Sequence, residues 1–127
     1  MSRADGVLRV VLTGKWWDMI ESGEKLEEYR GRNWDKKLMT SEGISLLVET
    51  IRANARNTER VLDWCENVFD FPSVHFRPYH TLVASRGYTA RTLTRKIKRI
   101  RWGTPRPEWS GDTVQGECFV IELEAAP

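Results

Sequence analysis

Residues 23–30 (GEKLEEYR) hold the groups of this chain that are best suited to chemistry. If residues 26–30 are extended, Glu28 and Arg30 share one face of a strand and can form an ion pair. Lys25 lies two residues after Gly23, which is expected to end a helix, and it can bend toward the same pair. Such a lysine can bind a phosphate or, when desolvated, can act as a base or polarise a carbonyl group. The alternative reading is a set of solvated charges on an edge strand.

A second feature is a cationic segment, residues 71–107, which carries nine basic and no acidic side chains. Residues 1–70 carry 11 basic and 13 acidic side chains, and residues 108–127 carry five acidic and no basic ones. The three segments in chain order therefore have charges of −2, +9 and −5, which sum to the net charge of +2. The nine cations are Arg77, Arg86, Arg91, Arg95, Lys96, Lys98, Arg99, Arg101 and Arg106.

Aromatic residues are interleaved with these cations, and the combination suits a single-stranded nucleic acid. Cations neutralise phosphates, and an aromatic ring on which a base stacks contributes about 1–3 kcal/mol per base. The alternative is a solvated sheet face whose rings are core residues and whose cations pair with the acidic first 70 residues. Nine cations without acidic neighbours in the segment favour nucleic-acid contact. The aromatic residues are Phe76, Tyr79, Tyr88, Trp102 and, just beyond the segment, Trp109.

Hydrophobic patterning predicts the elements that must position these groups. The predicted strands are Val7–Leu12 (fully buried), 25–30 (extended), 81–84, 89–102 with a bulge, and Cys118–Leu123. A basic helix is the alternative for residues 89–102. Two helices are predicted: residues 15–22, with Trp16 and Ile20 on one face and Gly23 after its end, and residues 44–69, capped by Thr40 or Ser41. The second helix could also be two shorter ones.

These elements indicate one α+β domain, residues 1–127, built as a small barrel with a helical insertion at about 41–69. Because the first and last strands are both apolar, we expect them to pair and close the barrel. No apolar run is long enough to span a membrane, and the N-terminus shows no secretory signal. Two cysteines, Cys65 and Cys118, indicate free thiols in a reducing, cytoplasmic location.

The motif GxKxxExR after a short tryptophan-containing helix resembles the signature of ASCH domains, which belong to the PUA-like β-barrel superfamily. The wider match is KWWDMIESGEKLEEYR followed by WDKKL, as in phage-type members. The segment SRGYTARTLTRKIKRIRWGTPRPEW resembles the second block of that group, and CFVIEL its last strand. These blocks cover roughly half of the chain, in the order found in the family. The resemblance implies a PUA-like (ASCH) barrel.

The resemblance also implies a function in RNA metabolism. Most members are inferred to bind RNA, some hydrolyse the acyl group of N4-acetylcytidine, and ribonuclease activity is also described. Transferred by position, Lys25, Glu28 and Arg30 line the cleft, and Lys25 matches the catalytic lysine of the amidohydrolase members. Those members carry threonine at the position of Glu28 and a further glutamate with no counterpart in this chain.

We therefore expect an RNA-binding module first, a hydrolase acting on a modified nucleoside or RNA second, and an adaptor that docks a protein partner through residues 41–69 third. For the hydrolase, Lys25 and Glu28 are the predicted catalytic residues. No cofactor is expected, nor any metal, because His75, His80 and Cys65 lack the spacing of metal ligands. The predicted ligand-binding residues are Lys15, Trp17, Lys25, Glu28, Arg30, Arg86, Tyr88, Arg95, Lys96, Lys98, Arg99 and Trp109.

Overall fold

A mixed five-stranded sheet forms the framework of the protein. The computed structural model describes residues 6–56, 75–111 and 116–126. The strands lie in the order β1-β3-β4-β5-β2. Strand β1 runs parallel to β3, and all other neighbours are antiparallel. The strands are β1 (Val7–Leu12), β2 (Glu27–Arg30), β3 (Thr81–Arg86), β4 (Thr92–Gly103) and β5 (Cys118–Leu123).

The long strand β4 makes the sheet curl. Its first half pairs with β3 and its second half with β5, and the register shifts between Ile97 and Arg99. A bulge bends the strand that carries it and increases the local twist, so the two halves of the sheet turn toward each other. The prediction of a bulged strand rather than a helix is confirmed. The result is an α+β half-barrel, which confirms the fold class at that level.

The expected pairing of the first and last strands is wrong. Strand β5 lies between β4 and β2, and β1 pairs with β3, so β1 and β2 are the two edges. Strand β5 is apolar because both of its faces are covered, whereas β1 buries Leu8, Val10 and Leu12 and exposes 43% of Val11. Strand β1 was predicted to be fully buried, and it is half-exposed instead.

Short helices connect the strands. They are α1 (Gly14–Glu21), a 3-10 turn (Arg32–Trp34), α2 (Asp35–Leu38), α3 (Ser41–Arg56) and α4 (Pro107–Ser110). The predicted cap of α3 is confirmed for Thr40, whose hydroxyl accepts a hydrogen bond of 3.1 Å from the Gly43 N–H. Residues 57–69 of the predicted long helix, with Cys65, lie outside the described residues. Within the described ranges, no helix is long and apolar enough to cross a bilayer.

The main core lies between the sheet and the helices, and Trp17 is its anchor in α1. Trp17 is 3% exposed, and its indole N–H donates a 3.0 Å hydrogen bond to the Ala84 carbonyl on β3. On β5, Phe119 and alternate residues face this core, as predicted, while Cys118 packs on the other side with Tyr29. Cys118 is a free thiol, as predicted, and burial raises its pKa to about 12.

The two adjacent tryptophans of α1 provide a test of this packing. We expect Trp17→Phe to lower the free energy of unfolding by about 1–3 kcal/mol, because it removes the indole hydrogen bond to the Ala84 carbonyl and leaves a space in the core. Trp16→Phe, at a partly exposed position, should cost less than about 1 kcal/mol. Urea denaturation of both variants measures the difference, and equal losses would contradict the assignment of Trp17 as the anchor.

Candidate functional site

Glu28 is the centre of the candidate site, since each of its carboxylate oxygens contacts a different cation. Oε1 lies 3.2 Å from the Lys25 ammonium nitrogen, and Oε2 lies 2.7 Å from a guanidinium nitrogen of Arg30. Lys25 is 2% exposed and Glu28 is 4% exposed. The predicted proximity of the three residues is therefore confirmed. The reading as solvated charges is wrong, because two of the three are buried.

The local chain path explains how Lys25 reaches this pair. Gly23 has a φ of 85°, a left-handed conformation that suits glycine after the end of a helix, so α1 stops there as predicted. The N–H of Lys25 then donates a 2.9 Å hydrogen bond to the Met19 carbonyl, which holds the chain against the helix end. Pairing of β2 with β5 sets Glu28 opposite Ile121. The sheet thus fixes the carboxylate, and the helix end fixes the ammonium group.

These residues line a small cleft, about 120 Å³ in volume, between the end of β1, α1, β2 and α4. The Lys25 nitrogen lies 4.5 Å from the centre of the Trp16 ring and 5.5 Å from that of Tyr29. Burial lowers the pKa of Lys25 below its usual value, and the Glu28 carboxylate opposes that shift. The cleft is lined by Val11, Leu12, Thr13, Trp16, Lys25, Glu28, Tyr29, Arg30, Trp109 and Ser110.

The other two side chains of β2, Glu27 and Tyr29, join the cleft to β4 and the segment after it. The Tyr29 hydroxyl donates a 2.6 Å hydrogen bond to the Glu27 carboxylate. The same hydroxyl accepts a hydrogen bond from the Arg106 N–H, and Arg101 lies 3.4 Å from Glu27. Burial, followed by the bond to Glu27, raises the pKa of Tyr29, so the phenol stays neutral in the physiological range.

Arg30 joins the two edges of the curled sheet. Besides its contact with Glu28, it donates a 3.2 Å hydrogen bond to the Val11 carbonyl on β1. Its Nε–H is buried and has no hydrogen-bond partner among the described residues. The guanidinium carbon lies 4.5 Å from the centre of the Trp34 ring. Arg30 thus connects the two strands by a side chain where a closed barrel would have backbone pairing.

A wider groove of about 550 Å³ adjoins the cleft and shares Arg30 with it. It is bordered by Trp34 on one side and by the turn that carries Tyr88 on the other. Tyr88 is 98% exposed, so its ring faces are open to a ligand. A nucleoside is too large for the cleft alone, since pockets for whole small molecules usually measure about 300–1,000 Å³. The cleft and groove together offer that space.

Of the predicted binding residues, four line the cleft, and a fifth, Tyr88, lines only the groove. Trp16, rather than Trp17, faces the cleft, while Trp17 is buried in the core. Lys15 is exposed on α1, with its ammonium nitrogen 4.5 Å from the centre of the Trp16 ring. The predicted residues that line the cleft are Lys25, Glu28, Arg30 and Trp109, and Tyr88 lines the groove.

The nine cations of residues 71–107 do not line the cleft, and several of them have acidic partners. The expectation that no acidic side chain neutralises these cations is therefore wrong for the cations that form ion pairs. Arg95 instead donates hydrogen bonds to the carbonyls at the end of α1. Lys96 and Lys98 are exposed on β4. The ion pairs are Arg86 with Asp18, Arg99 and Arg101 with Glu122, Arg101 with Glu27, and Arg106 with Glu108.

Trp16 and Trp34 are site residues that the sequence did not single out as ligand contacts. Trp16 lies next to Trp17 on α1, and only the direction of the core decides which indole faces the cleft. Trp34 lies just before α2, in the segment WDKKL, where the family resemblance had already marked a matching block. That resemblance was the available signal for Trp34.

No group of three or more metal-ligating side chains occurs among the residues that the structure describes. Comparison of the chain with protein-family models, with curated proteins and with solved structures finds no match. The chemistry of the cleft must therefore be argued from its own residues.

The buried position of Glu28 leads to a stability prediction. Glu28→Gln keeps the shape of the side chain but leaves Lys25 and Arg30 with no opposing charge, and we expect it to lower the free energy of unfolding by about 3–5 kcal/mol. Asp18→Asn is the matched control, because it breaks the exposed pair with Arg86, where solvent screens the attraction.

Chemical denaturation of the two variants and of the wild-type protein measures how much free energy of unfolding each substitution removes. The loss for Glu28→Gln should be several times the loss for Asp18→Asn. Similar small losses would show that the buried carboxylate does not hold the two cations.

Proposed function

We propose that the protein binds single-stranded RNA through the cleft of Lys25, Glu28 and Arg30, as an RNA-binding module of the ASCH type. The observation that carries the proposal is a buried site with two cations and one carboxylate, hence a net charge of +1, beside the partly exposed rings of Trp16 and Trp109. Such a site favours ligands that present oxygen acceptors, and RNA presents them on its phosphates and base edges.

The size of the cleft defines which part of the RNA enters it. A volume of about 120 Å³ suits a phosphate or the edge of a base. The Nε–H of Arg30 and the ammonium group of Lys25 would donate to an oxygen of that group. A carboxylate has about four lone-pair positions, so Glu28 can accept from a base N–H as well as from its two cations. A base edge with a carbonyl beside an N–H satisfies all three residues.

Aromatic rings border the path by which a strand would enter. Trp16 and Trp109 line the cleft, and Trp34 and Tyr88 line the groove beside it. Unstacked bases gain about 1–3 kcal/mol from each ring on which they stack. A duplex does not offer its base faces, because its bases already stack on one another. This arrangement favours a single strand.

The binding proposal predicts a difference between two lysines that contact the same ring. Lys25→Met should weaken binding of a short single-stranded RNA about tenfold or more, because a charge-assisted hydrogen bond to the ligand contributes about 1.5–3 kcal/mol. Lys15→Met removes an exposed ammonium group at the same 4.5 Å distance from the centre of the Trp16 ring, and it should change affinity much less. Fluorescence anisotropy with a labelled RNA measures both.

Two further measurements guard this test against a folding defect. Thermal unfolding shows whether Lys25→Met is folded, and Arg30→Lys, which keeps the charge but loses the planar donor geometry, should also weaken binding. A wild-type protein that binds no RNA at about 50 mM salt, where phosphate contacts are strong, would overturn the proposal. So would equal affinities of the Lys25→Met and Lys15→Met variants.

A hydrolase acting on a modified nucleoside is the second candidate function. The observation that favours it is Lys25, a buried amine whose pKa is lowered by burial and which lies 3.2 Å from a carboxylate. In such a reaction Glu28 would take a proton from a water as the water oxygen attacks the acyl carbon, and Lys25 would stabilise the negative charge on the acyl oxygen. Glu28 would then return the proton to the N4 nitrogen as the C–N bond breaks, which releases acetate and cytidine. The cleft volume suits an acyl group.

For this candidate we expect the wild-type protein to release acetate from N4-acetylcytidine and Lys25→Met to lose that activity by at least about a hundredfold. Lys15→Met is again the control and should keep the wild-type rate. Liquid chromatography of the nucleoside monitors the release of acetate and gives the rates. Absence of turnover in the wild-type protein, or equal rates in the two variants, would remove hydrolysis of this substrate from the site.

A further inference from the structure

A third cavity extends the groove along the exposed edge of β1. It has a volume of about 870 Å³ and lies between β1, α2, the start of α3 and the chain that leads into β3. It shares Arg9 and Lys37 with the groove beside the cleft, and that groove shares Arg30 with the cleft. The three cavities therefore form one continuous depression, which we call the β1 groove.

The charged residues of the β1 groove are almost all cations. Arg9, Lys36, Lys37 and Arg77 line the outer cavity, and no described carboxylate lines it or the adjoining one. Glu28 is the carboxylate at the inner end, where two cations already contact it. Lys36 and Lys37 are exposed. Such a series of cations attracts a chain of phosphates.

Hydrogen bonds hold several of these groups in place along the edge. The Lys37 ammonium group donates to the Arg9 carbonyl at 3.5 Å, and the Arg77 side chain donates to the Lys36 carbonyl at 3.1 Å. The Tyr79 hydroxyl donates to the Lys37 carbonyl at 3.0 Å. These contacts fix α2 over β1, so the cations and the Tyr79 ring are in position before a ligand arrives.

Aromatic rings accompany the cations along the whole length. Tyr79 lines the outer cavity, Trp34 and Tyr88 line the middle one, and Trp16 and Trp109 line the cleft. An acidic peptide needs only the cations, whereas a single-stranded nucleic acid also uses the rings as stacking surfaces. The combination favours the nucleic acid over the peptide.

We propose that the β1 groove is the path of the phosphate backbone, so that a strand whose base or phosphate enters the cleft continues past Trp34 toward Lys36, Lys37 and Arg77. This inference rests on the proposed function and extends it from one group in a cleft to a bound segment several nucleotides long. Strand β1 has six residues and therefore spans about 20 Å, which is longer than a single nucleotide.

The proposal moves the phosphate contacts away from the residues that the sequence favoured. On β4, Arg99 and Arg101 contact Glu122, and Lys96 and Lys98 line none of the cavities that join the cleft. Two pairs of exposed lysines thus allow a matched comparison: Lys36 with Lys37 on the β1 groove, and Lys96 with Lys98 on β4.

The experiment measures the salt dependence of binding to a labelled eight-nucleotide oligouridine and to the matching oligodeoxythymidine. The proteins are the wild type, the double variant Lys36→Gln with Lys37→Gln, and the double variant Lys96→Gln with Lys98→Gln. Each phosphate neutralised on a single strand contributes about −0.7 to the slope of log K against log salt. We expect the first double variant to lose about 1.4 of that slope and the second to keep the wild-type slope.

Several outcomes would overturn the inference, and they are distinguishable from failure of the proposed function. If the wild type binds and Lys25→Met weakens binding, but the Lys36 and Lys37 variant keeps the full slope, the cleft stands and the path is wrong. A slope lost only in the Lys96 and Lys98 variant would place the backbone on β4. If polyglutamate displaces the labelled oligonucleotide as effectively as unlabelled oligouridine does, the ligand would be an acidic protein. If the wild type binds neither oligonucleotide, both proposals fail.

Discussion

The carboxylate of Glu28 is the constraint on which the candidate site depends. It is buried, and an unpaired buried charge is costly, so Lys25 and Arg30 must stay close to it. Lys25 is held by the end of α1, and Arg30 reaches β1 through the Val11 carbonyl. One buried carboxylate therefore connects a helix end and both edges of the sheet, and the cleft exists where they meet.

The open edge between β1 and β2 leaves a groove beside this cleft. In a closed barrel, backbone groups of the two edge strands would bond to each other. Here the carbonyls of Val11 and Arg9 accept hydrogen bonds from the side chains of Arg30 and Lys37. Cationic side chains therefore lie along a groove, and the same groups that satisfy the edge carbonyls also supply its positive charge.

Much of the fold could be predicted from the sequence, because local patterns determine it. The alternation in β5, the bulged strand β4 and the glycine at the end of α1 follow from side-chain periodicity and backbone preference. Strand order could not be predicted in this way. The apolar faces of β1 and β5 suit a direct pairing as well as they suit the observed one. In the structure β5 pairs with β4 along one edge and with β2 along the other, which leaves no edge for β1.

The sequence by itself determined that Glu28 and Arg30 share one face of a strand and that Lys25 lies close to them at a helix end, so that the three could meet. Only the tertiary structure decided what surrounds them. The indole of Trp16 rather than that of Trp17 faces the cleft because the core lies on the side of Trp17. The cations beside the cleft come from β1 and α2. In the basic segment, Arg99 and Arg101 pair with Glu122 instead. The charges of a chain can be counted from its sequence. Whether a charged side chain has an opposite charge beside it depends on residues that are distant in sequence.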